Sequence, residues 1–138
     1  MEFSRRETIA LGLGAAAMTM LPMRAFAAYD EIISDFTGGA DISDGGVTLT
    51  TPEIAENGNT VPIAVDAPGA ESIMVVATGN PTPKVAVFVY GPLAASRAAS
   101  TRIRLAGTQE VLAIAKMPDG SFKRATSTVK VTIGGCGG

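Results

Sequence analysis

The chain has 138 residues, among them 11 basic and 13 acidic residues, no histidine, no tryptophan and a single cysteine. One cysteine and no histidine exclude zinc, copper, haem and iron–sulfur sites of the usual ligand types, and they exclude a nucleophile activated by an imidazole. The formal net charge is −2 with scattered basic residues, which excludes a basic surface for nucleic acid or an anionic membrane. We therefore predict no metal, no cofactor, no nucleic-acid partner and no membrane partner.

Residues 1–27 are predicted to be a cleaved twin-arginine signal peptide. Arg5 and Arg6 precede an apolar, Gly/Ala-rich stretch over residues 9–21, and Ala25-Phe26-Ala27 supplies a small-residue cleavage pattern. The apolar stretch is shorter than the roughly 20 residues that a transmembrane helix needs. This pattern predicts export to the periplasm, with the signal removed after Ala27.

An ordinary Sec signal is the alternative, because Thr8 stands where a large apolar residue is common after the arginine pair. Arg24, just before the cleavage site, and the modest hydrophobicity of the apolar stretch favour the twin-arginine route. That route transports folded proteins, so we expect the chain to fold before it is exported.

A single domain is predicted over residues 28–133. Ile32, Ile33 and Phe36 recur at helical spacing and are followed by Gly38-Gly39, which predicts one short helix at the start of the domain. Beyond it, short β-branched runs alternate with predicted turns rich in Gly, Pro and Asx residues, among them Asn57-Gly58-Asn59, Asn80-Pro81-Thr82-Pro83 and Asp119-Gly120. Seven strands are predicted, at residues 47–50, 60–65, 72–78, 85–90, 101–105, 110–116 and 126–133.

These strands predict an all-β fold, an immunoglobulin-like antiparallel β-sandwich of about seven strands that lacks the cysteine pair and core tryptophan of antibody domains. Residues 102–105 and 128–133 alternate apolar and polar side chains, as half-buried strands do. The nearly continuous apolar runs 73–77 and 85–89 indicate central strands covered on both faces. The alternative is that a partner subunit covers one of those faces.

Residues 134–138 read Gly-Gly-Cys-Gly-Gly and contain the only cysteine. Glycine adds no side-chain bulk and leaves the backbone free, so this segment, called the carrier arm below, is predicted to be a narrow, flexible arm with a reactive thiol. A frayed terminus with an incidental thiol, or a cysteine that cross-links two subunits, explains the spacing equally well.

We do not predict a free-standing enzyme and predict no catalytic residue. A free cysteine, with a pKa near 8.5, is only a few per cent thiolate at neutral pH, and the nearest cation before it in the sequence is Lys130. Activation of the thiol would then come from a partner. A nucleophile without its own acid, base or metal is typical of a carrier that presents a bound group to several enzymes.

Four stretches resemble the SoxY family of the periplasmic Sox thiosulfate-oxidation system: residues 54–63, 101–106, 117–122 and 129–138. The resemblance extends over essentially the whole mature chain, and the terminal motif joined to a twin-arginine signal is its most specific part. It implies an immunoglobulin-like sandwich that forms a heterodimer with SoxZ, a subunit without a signal of its own that is exported as a passenger.

The resemblance also implies the site. Cys136 would be the covalent attachment point for thiosulfate-derived sulfur, and Gly134, Gly135, Gly137 and Gly138 would give the arm its flexibility and reach. The implied partners dock transiently: the haem enzyme SoxAX joins thiosulfate to the cysteine oxidatively, and the manganese hydrolase SoxB releases sulfate. SoxCD or another sulfur-handling route would treat the remaining sulfane sulfur.

Two other functions fit parts of the sequence. The first is a non-catalytic periplasmic β-sandwich interaction module in which Cys136 forms an intersubunit disulfide. The second follows from the Gly137-Gly138 ending, which is similar to that of ubiquitin-like sulfur carriers such as ThiS, where a terminal glycine thiocarboxylate holds the sulfur. Those carriers are cytoplasmic, so the export signal argues against the second function.

Overall fold

The computed structural model describes residues 24–134, with burial and side chains described from residue 28 onwards. Residues 1–23 of the predicted signal and residues 135–138 lie outside this range. The described part contains one helix and nine strands: α1 (Arg24–Thr37), β1 (Ile42–Asp44), β2 (Thr48–Thr50), β3 (Ile54–Asn57), β4 (Val61–Asp66), β5 (Ser72–Ala77), β6 (Lys84–Val89), β7 (Ala98–Ile103), β8 (Gln109–Lys116) and β9 (Phe122–Ile133).

The strands form two sheets. The larger has the order β1-β9-β8-β5-β6, and β3 also pairs with β9; the smaller has the order β2-β4-β7. The predicted all-β sandwich with one short N-terminal helix is confirmed, and each of the seven predicted runs is a strand, β2 or one of β4 to β9.

Two strands, β1 and β3, were missed by the sequence analysis. Both pair in parallel with β9, β1 with its first residues and β3 with its last, so the pairing is not antiparallel throughout. Each has only three or four residues, with polar Ser, Asp, Glu and Asn side chains among them. Such short segments carry no alternation of their own, and they are strands because β9 supplies hydrogen-bonding partners along its edge.

The main core lies between the two sheets. Its fully buried members include Val61 on β4, Ile73 and Val75 on β5, and Val111 on β8. Every residue of β5 is buried, which confirms the predicted central strand covered on both faces. Alternate β5 residues point into the sandwich, while Met74 and those in phase with it point to the opposite face of the sheet.

That opposite face is covered by α1. Ile32, Ile33 and Phe36 pack against a buried cluster on the large sheet, and the Phe36 ring meets Phe122 edge-on with ring centroids 5.8 Å apart. The helix ends before Gly38, whose positive φ of 65° an L side chain rarely adopts. Within residues 24–134, no helix combines the length and the apolar character needed to cross a membrane.

The second apolar run, residues 85–89, is a correction to the sequence analysis. It forms β6, an edge strand of the large sheet rather than a central one, and its Val87 and Val89 side chains are exposed. A continuous run of apolar residues therefore identified a strand but not its position, because the run does not reveal which faces other elements cover.

The hairpin between β8 and β9 turns at Asp119-Gly120, as the sequence predicted. Gly120 has a φ of 84°, and its N–H donates to the Met117 carbonyl at 3.0 Å. The Ser121 hydroxyl and the Ser121 N–H both donate to Asp119 Oδ1, at 2.6 and 2.9 Å. These two bonds lower the pKa of Asp119, and the bond from the hydroxyl has the larger effect. The positive charge of Lys123 lowers this pKa by a smaller amount.

We expect Ser121→Ala to raise the pKa of Asp119 toward its usual value, because the main hydrogen bond to its carboxylate is lost. The pKa of Asp119 is lower in the folded chain than in the unfolded chain. The hydrogen bond therefore stabilises the folded chain at pH values above the unfolded-state pKa, and this stabilisation is lost as the pH falls through the folded-state pKa. An NMR titration of the Asp119 carboxyl carbon in both proteins measures the change. Equal titration curves would show that the hydroxyl does not set this pKa.

Candidate functional site

Of the predicted site residues, the structure describes only Gly134. Cys136, Gly135, Gly137 and Gly138 lie outside the described residues, and their predicted roles stay predictions. Gly134 is exposed and directly follows β9. The described part of the candidate site is therefore the attachment of the carrier arm, meaning the end of β9, Gly134 and the residues that hold them.

The end of β9 extends past its antiparallel neighbour β8. Gln109, the first residue of β8, pairs with Val129, so residues 130–133 lie beyond the β8–β9 ladder. On the opposite edge, β3 pairs with these same residues, with Ala55 opposite Val131 and Asn57 opposite Ile133. Gly58, at the end of β3, donates its N–H to the Ile133 carbonyl at 2.7 Å. One edge of the overhang is thus paired by β3.

Residues 104–108, called the bracing loop below, support the other edge. Within this loop, the Thr108 hydroxyl accepts a hydrogen bond from the Val131 N–H at 3.0 Å. The Ala106 carbonyl lies so close to Gly134 that a Cβ atom built on Gly134 would collide with it. Gly134 therefore has a packing requirement for glycine in addition to the flexibility predicted from the sequence.

Gly58 connects the two supports. Its N–H is bound to the Ile133 carbonyl, and its own carbonyl accepts the Leu105 N–H at 2.8 Å. The Leu105 side chain is fully buried in the sandwich core. The bracing loop, the end of β3 and the end of β9 are consequently joined to one another and to the core.

The side-chain amides of Asn80 and Gln109, called the amide cluster below, fix the shape of the bracing loop. Asn80 Nδ2 donates to the Arg104 carbonyl at 2.8 Å, and Asn80 Oδ1 accepts the Ala106 N–H at 2.9 Å. Gln109 Nε2 donates to Asn80 Oδ1 at 2.9 Å and to the Gly107 carbonyl at 3.0 Å.

Both amides are buried, with 7% of Asn80 and 8% of Gln109 exposed. Gln109 Oε1 accepts the Gly79 N–H at 2.9 Å, which ties the cluster to the turn after β5. Because a buried polar group left without its partner costs about 1–3 kcal/mol, these hydrogen bonds favour one conformation of the bracing loop.

The sequence analysis did not identify this attachment. Asn80 and the segment Asn57-Gly58-Asn59 were both interpreted as turns, which is correct for the backbone but omits what they bind. The only local signals were an asparagine before a proline, at Asn80-Pro81, and a glutamine two positions before an apolar run, at Gln109. Neither signal specifies a hydrogen bond to a residue more than twenty positions away.

Comparison with known proteins gives the relatives of this chain. The sequence profile of the family described as sulfur oxidation protein SoxY matches residues 33–136. The solved structure of the sulfur carrier protein SoxY from Chlorobium limicola f thiosulfatophilum is similar, with 34% sequence identity and a TM-score of 0.68, over 78% of this chain and 98% of that chain. A search of curated protein sequences found no match.

More distant structures share the fold. A superoxide reductase (neelaredoxin) from Ignicoccus hospitalis has 15% identity and a TM-score of 0.55, over 62% of this chain and 78% of that chain. A putative superoxide reductase from Thermotoga maritima has 15% identity and a TM-score of 0.53, over 70% of this chain and 90% of that chain. At such low identity these likenesses show a common β-sandwich and carry no argument about activity.

We expect Gly134→Ala to loosen the end of β9. The new methyl group would collide with the Ala106 carbonyl, so either residue 134 or the bracing loop must move. Amide hydrogen exchange at Gly58, whose N–H is bound to Ile133, should become about tenfold faster, equivalent to about 1.4 kcal/mol of local opening free energy. Gly107→Ala, in the bracing loop, is the matched control, because a Cβ atom on Gly107 meets nothing within 4 Å. Equal exchange in both variants would contradict the packing role of Gly134.

Proposed function

This chain belongs to the SoxY family, and from that premise we propose that it is a sulfur carrier that binds thiosulfate-derived sulfur covalently through Cys136 Sγ. The family match carries the proposal, because it extends over nearly the whole described domain and onward to residue 136, the position of the only cysteine. The Chlorobium relative, whose sulfur-carrier function is part of its name, matches over nearly its full length.

The loading step of this proposal forms a disulfide bond between Cys136 Sγ and the sulfane sulfur of thiosulfate. The thiol loses its proton, and two electrons leave to an oxidant, for which the family resemblance supplies a haem enzyme of the SoxAX type. The product is a cysteine S-thiosulfonate. A soft, polarisable thiolate is the side chain suited to this bond, and the chain has one cysteine to provide it.

The release step is a hydrolysis. Water attacks the sulfone sulfur, the bond between the sulfone and sulfane sulfurs breaks, and sulfate leaves; one proton of the water goes to the sulfane sulfur and the other to solvent. Cys136 retains the sulfane sulfur as a persulfide, for later removal by a SoxCD-like enzyme or another sulfur-handling route. In this scheme a SoxB-type manganese hydrolase supplies the metal, and this chain is a covalent substrate carrier rather than an enzyme.

Such a carrier needs to place one cysteine in the active sites of several enzymes. The four glycines of the carrier arm add no side chains that a narrow channel would have to accommodate, and they leave the backbone free to follow its shape. Each residue adds at most about 3.3–3.6 Å, so the Cys136 Cα atom lies within about 7 Å of the Gly134 Cα atom. The enzymes must therefore approach the sandwich closely at the arm attachment.

Intact-mass analysis tests the carrier proposal. The processed protein is purified without reductant, together with any subunit that accompanies it, from cells grown with and without thiosulfate. We expect a reductant-labile mass increase that appears with thiosulfate and is lost in Cys136→Ser, because serine offers no sulfur for the bond. A bare thiol, or a disulfide-linked dimer that thiosulfate does not alter, would contradict the proposal and favour the interaction module.

We propose that the chain acts in the periplasm after twin-arginine export, as a heterodimer with a SoxZ-like subunit exported as a passenger. Replacing Arg5 and Arg6 together by lysine should abolish export while expression continues, because the twin-arginine pathway requires the pair. Cell fractionation followed by immunoblotting measures this. Export that persists unchanged would identify a Sec signal and remove the reason for a folded passenger.

A further inference from the structure

The end of β9 extends past its neighbour in the sheet, and the proposed carrier function makes the support of this strand end important. Residues 130–133 extend beyond β8, and an overhanging strand end held on one edge alone would fray. The structure supports its second edge with the bracing loop, through the Val131 N–H bound to Thr108 and the contact of Gly134 with the Ala106 carbonyl. Whatever fixes the bracing loop therefore fixes the point from which the carrier arm leaves the domain.

We propose that Asn80 is a positioning residue for the carrier arm: through the bracing loop it fixes where the arm leaves the sandwich. Asn80 lies in the turn after β5, distant in sequence from both the bracing loop and the arm. Its amide binds the loop on both sides of Leu105, donating to the Arg104 carbonyl and accepting the Ala106 N–H. No shorter or apolar side chain can reproduce this pair of bonds.

The Ala106 backbone connects Asn80 to the arm. Its N–H is held by Asn80 Oδ1, and its carbonyl is the atom against which Gly134 lies. Loss of the Asn80 amide frees the Ala106 N–H and the Arg104 carbonyl, and the Gln109 amide loses one of the two oxygens to which it donates. The loop backbone around Ala106 is then less firmly held where it meets Gly134.

The consequence for sulfur transfer rests on the proposed carrier function. Only one residue, Gly135, separates Gly134 from Cys136, so chain geometry keeps their Cα atoms within about 7 Å of each other, and a shift of the attachment is a large fraction of that distance. A partner enzyme that docks on the sandwich and receives the arm would then meet the cysteine in the wrong place more often. Recognition of the carrier should weaken, while the chemistry at the thiol stays the same.

The test compares the wild type with Asn80→Ala and Thr108→Val. The second variant removes the acceptor of the Val131 N–H from an exposed position and keeps the proposal testable if Asn80→Ala folds poorly. Ile114→Val is the matched control, because it removes a methylene from the buried cluster beneath α1, on the face of the large sheet opposite the sandwich core. Each protein is used as purified, with any accompanying subunit.

The first readout is the backbone order parameter of the Ile133 and Gly134 amides from ¹⁵N relaxation. We expect values of about 0.85 in the wild type and in Ile114→Val, and values below about 0.6 in Asn80→Ala, with a smaller decrease in Thr108→Val. Global destabilisation alone does not change this quantity in the folded state. Unchanged order parameters in both loop variants would overturn the proposal.

The second readout is the kinetics of Cys136. Its reaction with a small neutral disulfide should stay within twofold of the wild-type rate in every variant. The KM of a purified SoxAX-type enzyme for the carrier, with thiosulfate present, should rise about tenfold in Asn80→Ala with kcat little changed. A lower order parameter with an unchanged KM would overturn the proposal. If the enzyme does not load sulfur onto the wild-type protein, the proposed carrier function is wrong. The relaxation data test the position of the arm independently of that function.

Discussion

The candidate site depends on the unequal length of two neighbouring strands, because the longer strand extends beyond the shorter one. β9 has twelve residues and β8 has eight, and their antiparallel ladder closes between Gln109 and Val129. The remainder of β9 leads directly to the segment that contains the only cysteine. This strand end has to be held by something other than its hairpin partner, because unpaired backbone groups at a sheet edge are costly to bury and free to fray when exposed.

Two supports meet this requirement from opposite edges. The parallel pairing of β3 supplies backbone partners, and the bracing loop supplies the Thr108 hydroxyl and the close contact at Gly134. Leu105 in the core and the buried amides of Asn80 and Gln109 hold the bracing loop in turn. The point at which the chain continues past β9 is therefore an ordered part of the sandwich.

Much of the fold could be predicted from the sequence because its signals are local. β-Branched runs and Gly, Pro and Asx turns identified β2 and β4 to β9, and the spacing of Ile32, Ile33 and Phe36 identified α1. β1 and β3 were missed because their strand character comes from parallel pairing with a segment far along the chain. The edge position of β6 was missed because an apolar run does not report which of its faces another element covers.

The candidate site, like the fold, could be predicted from the sequence only in part. Composition alone singled out Cys136 and its glycines, and the family match that reaches residue 136 supports their proposed role. The amide cluster and the contact of Gly134 with Ala106 depend on long-range packing, so they could be found only in three dimensions. For the same reason Gly134 could be predicted as a flexible residue but not as one that packs against the bracing loop.

The most direct test of the central claim follows the sulfane sulfur itself. Cells are given thiosulfate with a heavy sulfur isotope in the sulfane position, and the tryptic peptide that follows Lys130 is analysed by tandem mass spectrometry without reduction. The account predicts that the heavy isotope is bound to Cys136, both in the thiosulfonate and in the persulfide left after sulfate release. A peptide whose Cys136 never carries the heavy isotope would contradict the assignment of this chain as the covalent carrier.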